Sequence, residues 1–449
     1  MELKDFCSLE GDVVKLKDAD GFKGAIDGLI YDAVFEADEQ MKKAKLTALK
    51  EACKASGAVP ASIQDLYEAM GKDYPGFTVP AINIRGLSYD TSRAVFRVAH
   101  RMNVGAMIFE IARSEIGYTK QRPLEYSTVV LAAAVKEGYT GPVFIQGDHF
   151  QTVRKYFTSD PDLEVNYVKG LIAEAVDAEF YNIDIDTSTL VDLSKETIKE
   201  QQFPNYHNAA MLTRHIRDIE PNGVTVSVGG EIGEIGGKNS DPDELKAYLE
   251  GFKEEFDGTG ISKMSVQTGT SHGGVVLPDG TLAQVKIDFE TLRTLSDVAR
   301  KDYGLSGCVQ HGASTLPDDA FDMFPETGTS EVHLATGFQN ITYDSASLPE
   351  DFRKMVYEHI HKEFGGEQKE GDSNEQFIYK TRKKGFGQIK QKWWDLPSEV
   401  RDPIMQELEL KFALLFDKLK VDNTVEITNK NVKPNIVNKL TDEARALLS

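Results

Sequence analysis

Eight short apolar runs, each followed by an amphipathic stretch of helical spacing, predict a parallel (β/α)8 barrel in the central part of this chain. The alternation occupies roughly 270 residues, the usual size of such a barrel. No glycine-rich dinucleotide fingerprint follows the first strand, which disfavours the open doubly wound sheet. The full length of 449 residues leaves room for an extension at each end.

Taken in order, the chain to about Lys72 reads as helical. Ala33 to Ala55 is rich in Ala, Glu and Lys and stops at Gly57-Ala-Val-Pro60. A short helix follows from Ser62, whose hydroxyl can cap it, and Pro75-Gly76 makes a turn. The predicted strands are Phe77–Asn83, Ala106–Ile111, Pro142–Gly147, Glu179–Ile185, Val224–Val228, Lys263–Thr268, Gly307–Gln310 and Glu331–Ala335. The predicted helices between and after them are Ser92–Met102, Tyr126–Lys136, Asn166–Ala175, Ala209–Arg217, Pro242–Glu255, Phe289–Tyr303 and Pro317–Phe324. Beyond Leu348 the rhythm ends. Asp351–Phe364 and Ser398–Leu419 read as helices, and Val421–Ser449 has no readable pattern. The expected organisation is an N-terminal helical extension (1–74), a barrel (75–347) and a C-terminal helical extension (348–449).

Composition narrows the function classes. With 51 Lys+Arg against 72 Asp+Glu the formal charge is −21, which argues against sequence-independent nucleic-acid binding. It does not exclude anionic substrates, because local N–H groups bind phosphate against the global field. The longest apolar run, Val129 to Val135, is far too short for a membrane span, and the first residues carry no secretory pattern. Three scattered cysteines suit a reducing cytoplasm.

Chemistry in such a barrel is expected where strands end and the following loops begin. Ligand-type residues gather there: Gln146-Gly-Asp148-His149, Gly230-Glu231, Gly269-Thr-Ser-His272-Gly-Gly274 and Gln310-His311-Gly-Ala-Ser314, with His333 and Thr336 on the last strand. His149, His272 and His311 follow separate strands, so three imidazoles can converge on a divalent cation and leave a position for substrate, although each alone reads as an ordinary loop histidine. Asp148 reads either as a partner that orients an imidazole or as a carboxylate that moves a substrate proton. Glu231, Asp184 and Asp186 read equally as metal ligands, ligands of a second cation, or buried paired carboxylates. Gly273, Gly274, Gly312, Ser314 and Thr336 can aim N–H and hydroxyl donors at one anion.

Together, Val79-Pro-Ala-Ile-Asn83-Ile-Arg85, Gly147-Asp148-His149, Gly230-Glu231-Ile-Gly233 with Gly236-Gly237, Gly269-Thr-Ser-His272-Gly273 and His311-Gly312-Ala-Ser314 resemble the class II, metal-dependent ketose-bisphosphate aldolases, over about residues 77–345. The resemblance implies a lyase that cleaves or forms a ketose (bis)phosphate such as fructose 1,6-bisphosphate, giving dihydroxyacetone phosphate and an aldehyde. It implies zinc or another divalent cation held by His149, His272 and His311 and stabilising the enediolate, with Glu231 at an alternative or second metal position. It makes Asp148 the proton carrier at the C4 oxygen. Gly273, Gly312 and Ser314 would line the phosphate site, and Asn83, His333 and Thr336 would face substrate. A homodimer or higher oligomer is expected.

Three departures stand out. Gly236-Gly237 runs through Lys238-Asn-Ser-Asp241 into the next helix, without the family's Glu-Asp pair. The last strand carries His333 where the family has Asn, and Gly337 where it has Asp. Arg382, in Tyr379-Lys-Thr-Arg382-Lys-Lys384, is a candidate for the family's second-phosphate arginine, although such a basic run also reads as a solvated helix face or a contact to an acidic partner. These departures keep two alternatives: an isomerase or epimerase using the same metal site, and a non-catalytic partner subunit.

Overall fold

The computed structural model describes residues 2–233, 237–269, 277 and 286–449. An antiparallel hairpin, β1 (Cys7–Glu10) and β2 (Val13–Leu16), comes first, and β3 (Ala58–Ala61) pairs in parallel with Gly141–Phe144. Eight further strands follow: β4 (Val79–Asn83), β5 (Ile108–Ala112), β6 (Gly141–Gln151), β7 (Asn182–Asp186), β8 (Ser227–Gly233), β9 (Lys263–Val266), β10 (Cys308–Gln310) and β11 (Glu331–Leu334). Each pairs in parallel with its predecessor, and β11 pairs with β4, so the ring is closed. The (β/α)8 barrel expected from the sequence is present, with helical segments before and after it. No helix among the described residues is long and apolar enough to cross a membrane.

The stretch to Lys72, expected to be helical, also contains β1, β2 and β3. Four residues per strand are too few to show a period, and Pro60 makes β3 look like a helix stop. The run read as one helix over Ala33–Ala55 is two, Ala19–Val34 and Glu39–Ala55, the second capped by the Asp38 carboxylate on Met41 N–H at 2.7 Å. Pro317–Phe324 is a 3-10 turn followed by the short helix Met323–Glu326.

These additions explain the apolar run at 129–135. The helix Pro123–Glu137 packs against Ser88–Met102, Ala19–Val34 and Glu39–Ala55, and every residue from Tyr126 to Val135 is buried. A helix covered on all sides is apolar all round. The helix Ser398–Lys418 lies against Ser88–Met102, with Glu409 bridging Arg97 at 2.6 Å and Arg101 at 2.8 Å.

The unreadable tail runs beneath the strand N-termini. Just before it, Leu419 C=O accepts from Thr78 N–H; within it, Thr424 Oγ1 accepts from the N–H groups of Gly105 and Ala106, and Asn435 Nδ2 donates to Asn222 C=O. Its buried apolar anchors, Val421, Val432, Ala444 and Leu448, are widely spaced between such polar contacts, so no hydrophobic period shows. The helix Gln64–Lys72 closes the same floor, and Tyr67 is fully buried there.

Candidate active site

Inward side chains recur every second residue along a strand, so each mouth residue stands above another two positions earlier. Two strands depart from this alternation. One extra residue in β6 shifts its register against β7 between Gly147 and Phe150, and His149 sits at φ 42°. The bulge turns two consecutive residues, Asp148 and His149, toward one cavity instead of opposite faces. Gly147 is needed beside it, since a Cβ there would meet the Phe150 ring at 2.5 Å. In β8 a second shift lies between Glu231 and Gly233, and Glu231 is brought against His149.

The donors converge. His149 Nδ1 lies 3.2 Å from Glu231 Oε2 and 3.2 Å from Asp186 Oδ2. The His149 and His311 rings are 4.2 Å apart between centroids, and those of His311 and His333 are 4.0 Å apart. His311 Nε2 is 3.1 Å from Ser265 Oγ. His149, Glu231 and His311 offer ligand atoms all within 4.8 Å of one another, and Asp148, His311 and His333 form a second such group. His272 and Gly273, with Gly274, lie outside the described residues.

Below the mouth is a charged floor. Lys263 Nζ reaches Glu331 at 2.5 Å, Gln146 at 2.7 Å and Asp184 at 3.0 Å. His333 Nε2 lies 2.6 Å from Glu331, while its Nδ1 faces Glu110 at 3.0 Å and Asp148 at 3.3 Å. The two aspartates of β7, equivalent in the sequence, are thereby separated: Asp186 meets His149, and Asp184 meets Lys263. Sequence reading missed Glu110, Lys263 and Glu331. Their signal was a charge set inside otherwise apolar parallel strands.

Negative charge dominates this pocket. Burial, then the neighbouring Asp186, pushes Glu231 up to about 7. Burial does the same to Glu110, up to about 7, and to Asp184, up to about 6. Burial alone would lower the two imidazoles, but Asp148 and Glu231 raise His149, and Glu110 and Asp148 raise His333. Carboxylates forced toward protonation beside converging imidazoles are the donor set a divalent cation satisfies. The residues present fit a metal ion.

The adjoining cavity, about 570 Å³, is lined by Asn83, Asp148, His149, His311, Gly312, Ser314, His333 and Thr336. Gly312 adopts φ 71°, and Ser314 Oγ accepts from Ala335 N–H at 2.6 Å. Asn83 Nδ2 donates to Glu115 at 2.5 Å, and the same carboxylate holds Arg85 Nε at 2.7 Å. Arg85 also reaches Gln339 at 3.1 Å and Thr336 at 3.4 Å.

The candidate role of Arg382 needs correcting. Its guanidinium is fastened to Asp344 at 2.7 Å and Asn340 at 2.6 Å, and it does not line this cavity. The next residue does. Lys383 faces the cavity beside Arg85, with Nζ 5.7 Å from the Tyr118 ring centroid, and burial followed by the Arg85 charge lowers its affinity for a proton.

Solved structures share this fold. A fructuronate-tagaturonate epimerase from Cohnella laeviribosi aligns over 94% of this chain and 90% of its own, at 13% identity and TM-score 0.58. A probable tagatose 6 phosphate kinase from Sinorhizobium meliloti covers 83% and 97%, at 16% identity and TM-score 0.52. The YdjI aldolase from Escherichia coli covers 81% and 99%, at 14% identity and TM-score 0.50. The family model for class-II fructose-bisphosphate aldolases matches residues 64–393, nearly three-quarters of the sequence, and the chain belongs to that family.

Proposed function

We propose that this protein is a divalent-metal-dependent aldolase that cleaves or forms a ketose phosphate, giving dihydroxyacetone phosphate and an aldehyde. The observation that carries the reading is the meeting of His149, Glu231 and His311 within 4.8 Å, with Asp148 beside them on the same cavity. A cation held there supplies Lewis acidity to a ketose carbonyl and its neighbouring hydroxyl. His272 is proposed to complete the donor set. Asp148, consecutive with His149 through the β6 bulge, accepts the hydroxyl proton as the carbon–carbon bond breaks and returns it in the condensation direction. Gly312, Ser314 and Thr336 are proposed to hold the phosphate of the triose half, with Arg85 alongside. Lys383 supplies positive charge for an anionic group on the other half.

The test is incubation with fructose 1,6-bisphosphate, tagatose 1,6-bisphosphate and related ketose phosphates, following triose formation with and without a chelator. Activity that a chelator leaves intact, or none on any ketose phosphate, would sink the reading.

An epimerase at the same site is the second reading. The missing Glu-Asp pair after Gly237 favours it, as does the fold alignment with the Cohnella epimerase through both extensions. Solvent deuterium entering product without triose formation would select it. We also propose a homodimer or higher oligomer, in keeping with Tyr156, Leu163 and Tyr167 exposed on adjoining helices near the cavity. A monomer mass independent of concentration would refute that.

A further inference from the structure

The charged floor under the site is unlike the packed layers of branched apolar side chains that usually fill such barrels. Glu110, Asp184 and Glu331 are buried there against Lys263 and His333. Well-packed apolar side chains of similar volume are often no less stable than a buried ionic cluster, so stability alone does not explain it. One thread through the cluster runs from the floor to the mouth. Tyr67 hydroxyl donates to Glu331 Oε2, Glu331 Oε1 lies 2.6 Å from His333 Nε2, and His333 Nδ1 lies 3.3 Å from Asp148 Oδ1. Tyr67 comes from the helix Gln64–Lys72 and does not line the cavity.

We propose that Tyr67 is a positioning residue for Asp148, acting through Glu331 and His333. The inference rests on the proposed role of Asp148. Glu331 is held by four donors, from Tyr67, Gln146, Lys263 and His333, so its two oxygens have one satisfied arrangement. That arrangement anchors Nε2 of His333 and leaves Nδ1 facing two carboxylates, Glu110 at 3.0 Å and Asp148 at 3.3 Å. The small difference between those distances makes the aim of the ring decisive. Freed from Tyr67, Glu331 turns on its remaining donors, the imidazole follows, and the 3.3 Å charge contact between its Nδ1 and Asp148 Oδ1 changes. Nothing at the mouth changes composition.

The experiment compares Tyr67→Phe with Tyr74→Phe. Tyr74 is a matched control, since its hydroxyl donates to Pro325 C=O at 3.2 Å on the same floor but does not touch Glu331. With the ketose phosphate that is turned over, Tyr67→Phe is expected to lower kcat about tenfold while KM and bound metal stay unchanged. Tyr74→Phe is expected to stay within about twofold of the parent. Equal kcat in the two variants, or a Tyr67→Phe loss that merely follows lost metal or lost folded protein, overturns the proposal. A second readout needs no substrate. In histidine-labelled protein, with the His333 resonances assigned from His333→Gln, the ring-nitrogen shifts of His333 should move in Tyr67→Phe and not in Tyr74→Phe. Unmoved shifts overturn the thread itself. Moved shifts in a protein inactive on every ketose phosphate uphold the thread and reject the aldolase reading.

Discussion

His149 and His311 bring their ring centroids within 4.2 Å of each other although they enter from β6 and β10, strands four places apart in either direction around an eight-membered ring. Side chains from opposite walls meet only over the barrel axis, where a cation is reached from every strand. Replacing either histidine by Ala is expected to remove the bound divalent metal and lower activity by at least about 100-fold. Metal analysis of the purified variants checks this. A full equivalent of metal in both would contradict it.

Ser265 Oγ lies 3.1 Å from Nε2 of His311, a contact that orients the ring. Ser265→Ala should weaken metal binding about tenfold, read by competition with a chromophoric chelator, with little change in thermal midpoint. Unchanged affinity would make the serine a packing residue only.

Lys383 and Arg85 put two cations on one cavity wall, against the single carboxylate of Glu115. Lys383→Gln removes a charge-assisted contact to an anionic substrate group, and KM for a bisphosphate should rise about tenfold or more with kcat little altered. Lys383→Arg should recover most of it. A parallel loss on substrates lacking the distal anion would point to a different role.

Far from the site, Glu179 is buried between Lys50 at 2.9 Å and Lys54 at 3.0 Å. Burial alone would raise its pKa, but the two ammonium groups hold it below the ordinary 4.5. A depressed folded-state pKa contributes stability above the unfolded value and loses it as pH falls through the folded one. Stability to urea should therefore fall below about pH 4.5. Glu179→Gln should cost about 3–5 kcal/mol at neutral pH and flatten that part of the profile. An acid limb unchanged in the variant would assign the loss to other carboxylates.

The barrel was legible because its strands and helices obey two different periods over eight repeats. All eight strands were located within a few residues, and Asp148, His149, Glu231 and His311, picked for their place after predicted strand ends, come close together, the first three inside strands that run further than expected. His333 looked like a replacement for a substrate-facing amide. In the structure it is held between carboxylates on both ring nitrogens, because Glu110, Lys263 and Glu331 bring charge to positions one pleat deeper. Contacts between strands distant in sequence leave no local pattern. Arg382 was the sequence's candidate for a second phosphate, whereas the turn at Arg382–Gly385 brings Lys383 to the cavity instead.

The strap under the barrel sets an order of events during synthesis. Gly105 waits for Thr424, 319 residues downstream, before its N–H is satisfied, and Lys54 waits for the carbonyl of Val437 across 383. A ribosome-bound chain that has already made every residue of the candidate site thus still has an open underside. Such long separations slow folding, and that underside is sealed only once the segment carrying Thr424 and Val437 has joined the barrel.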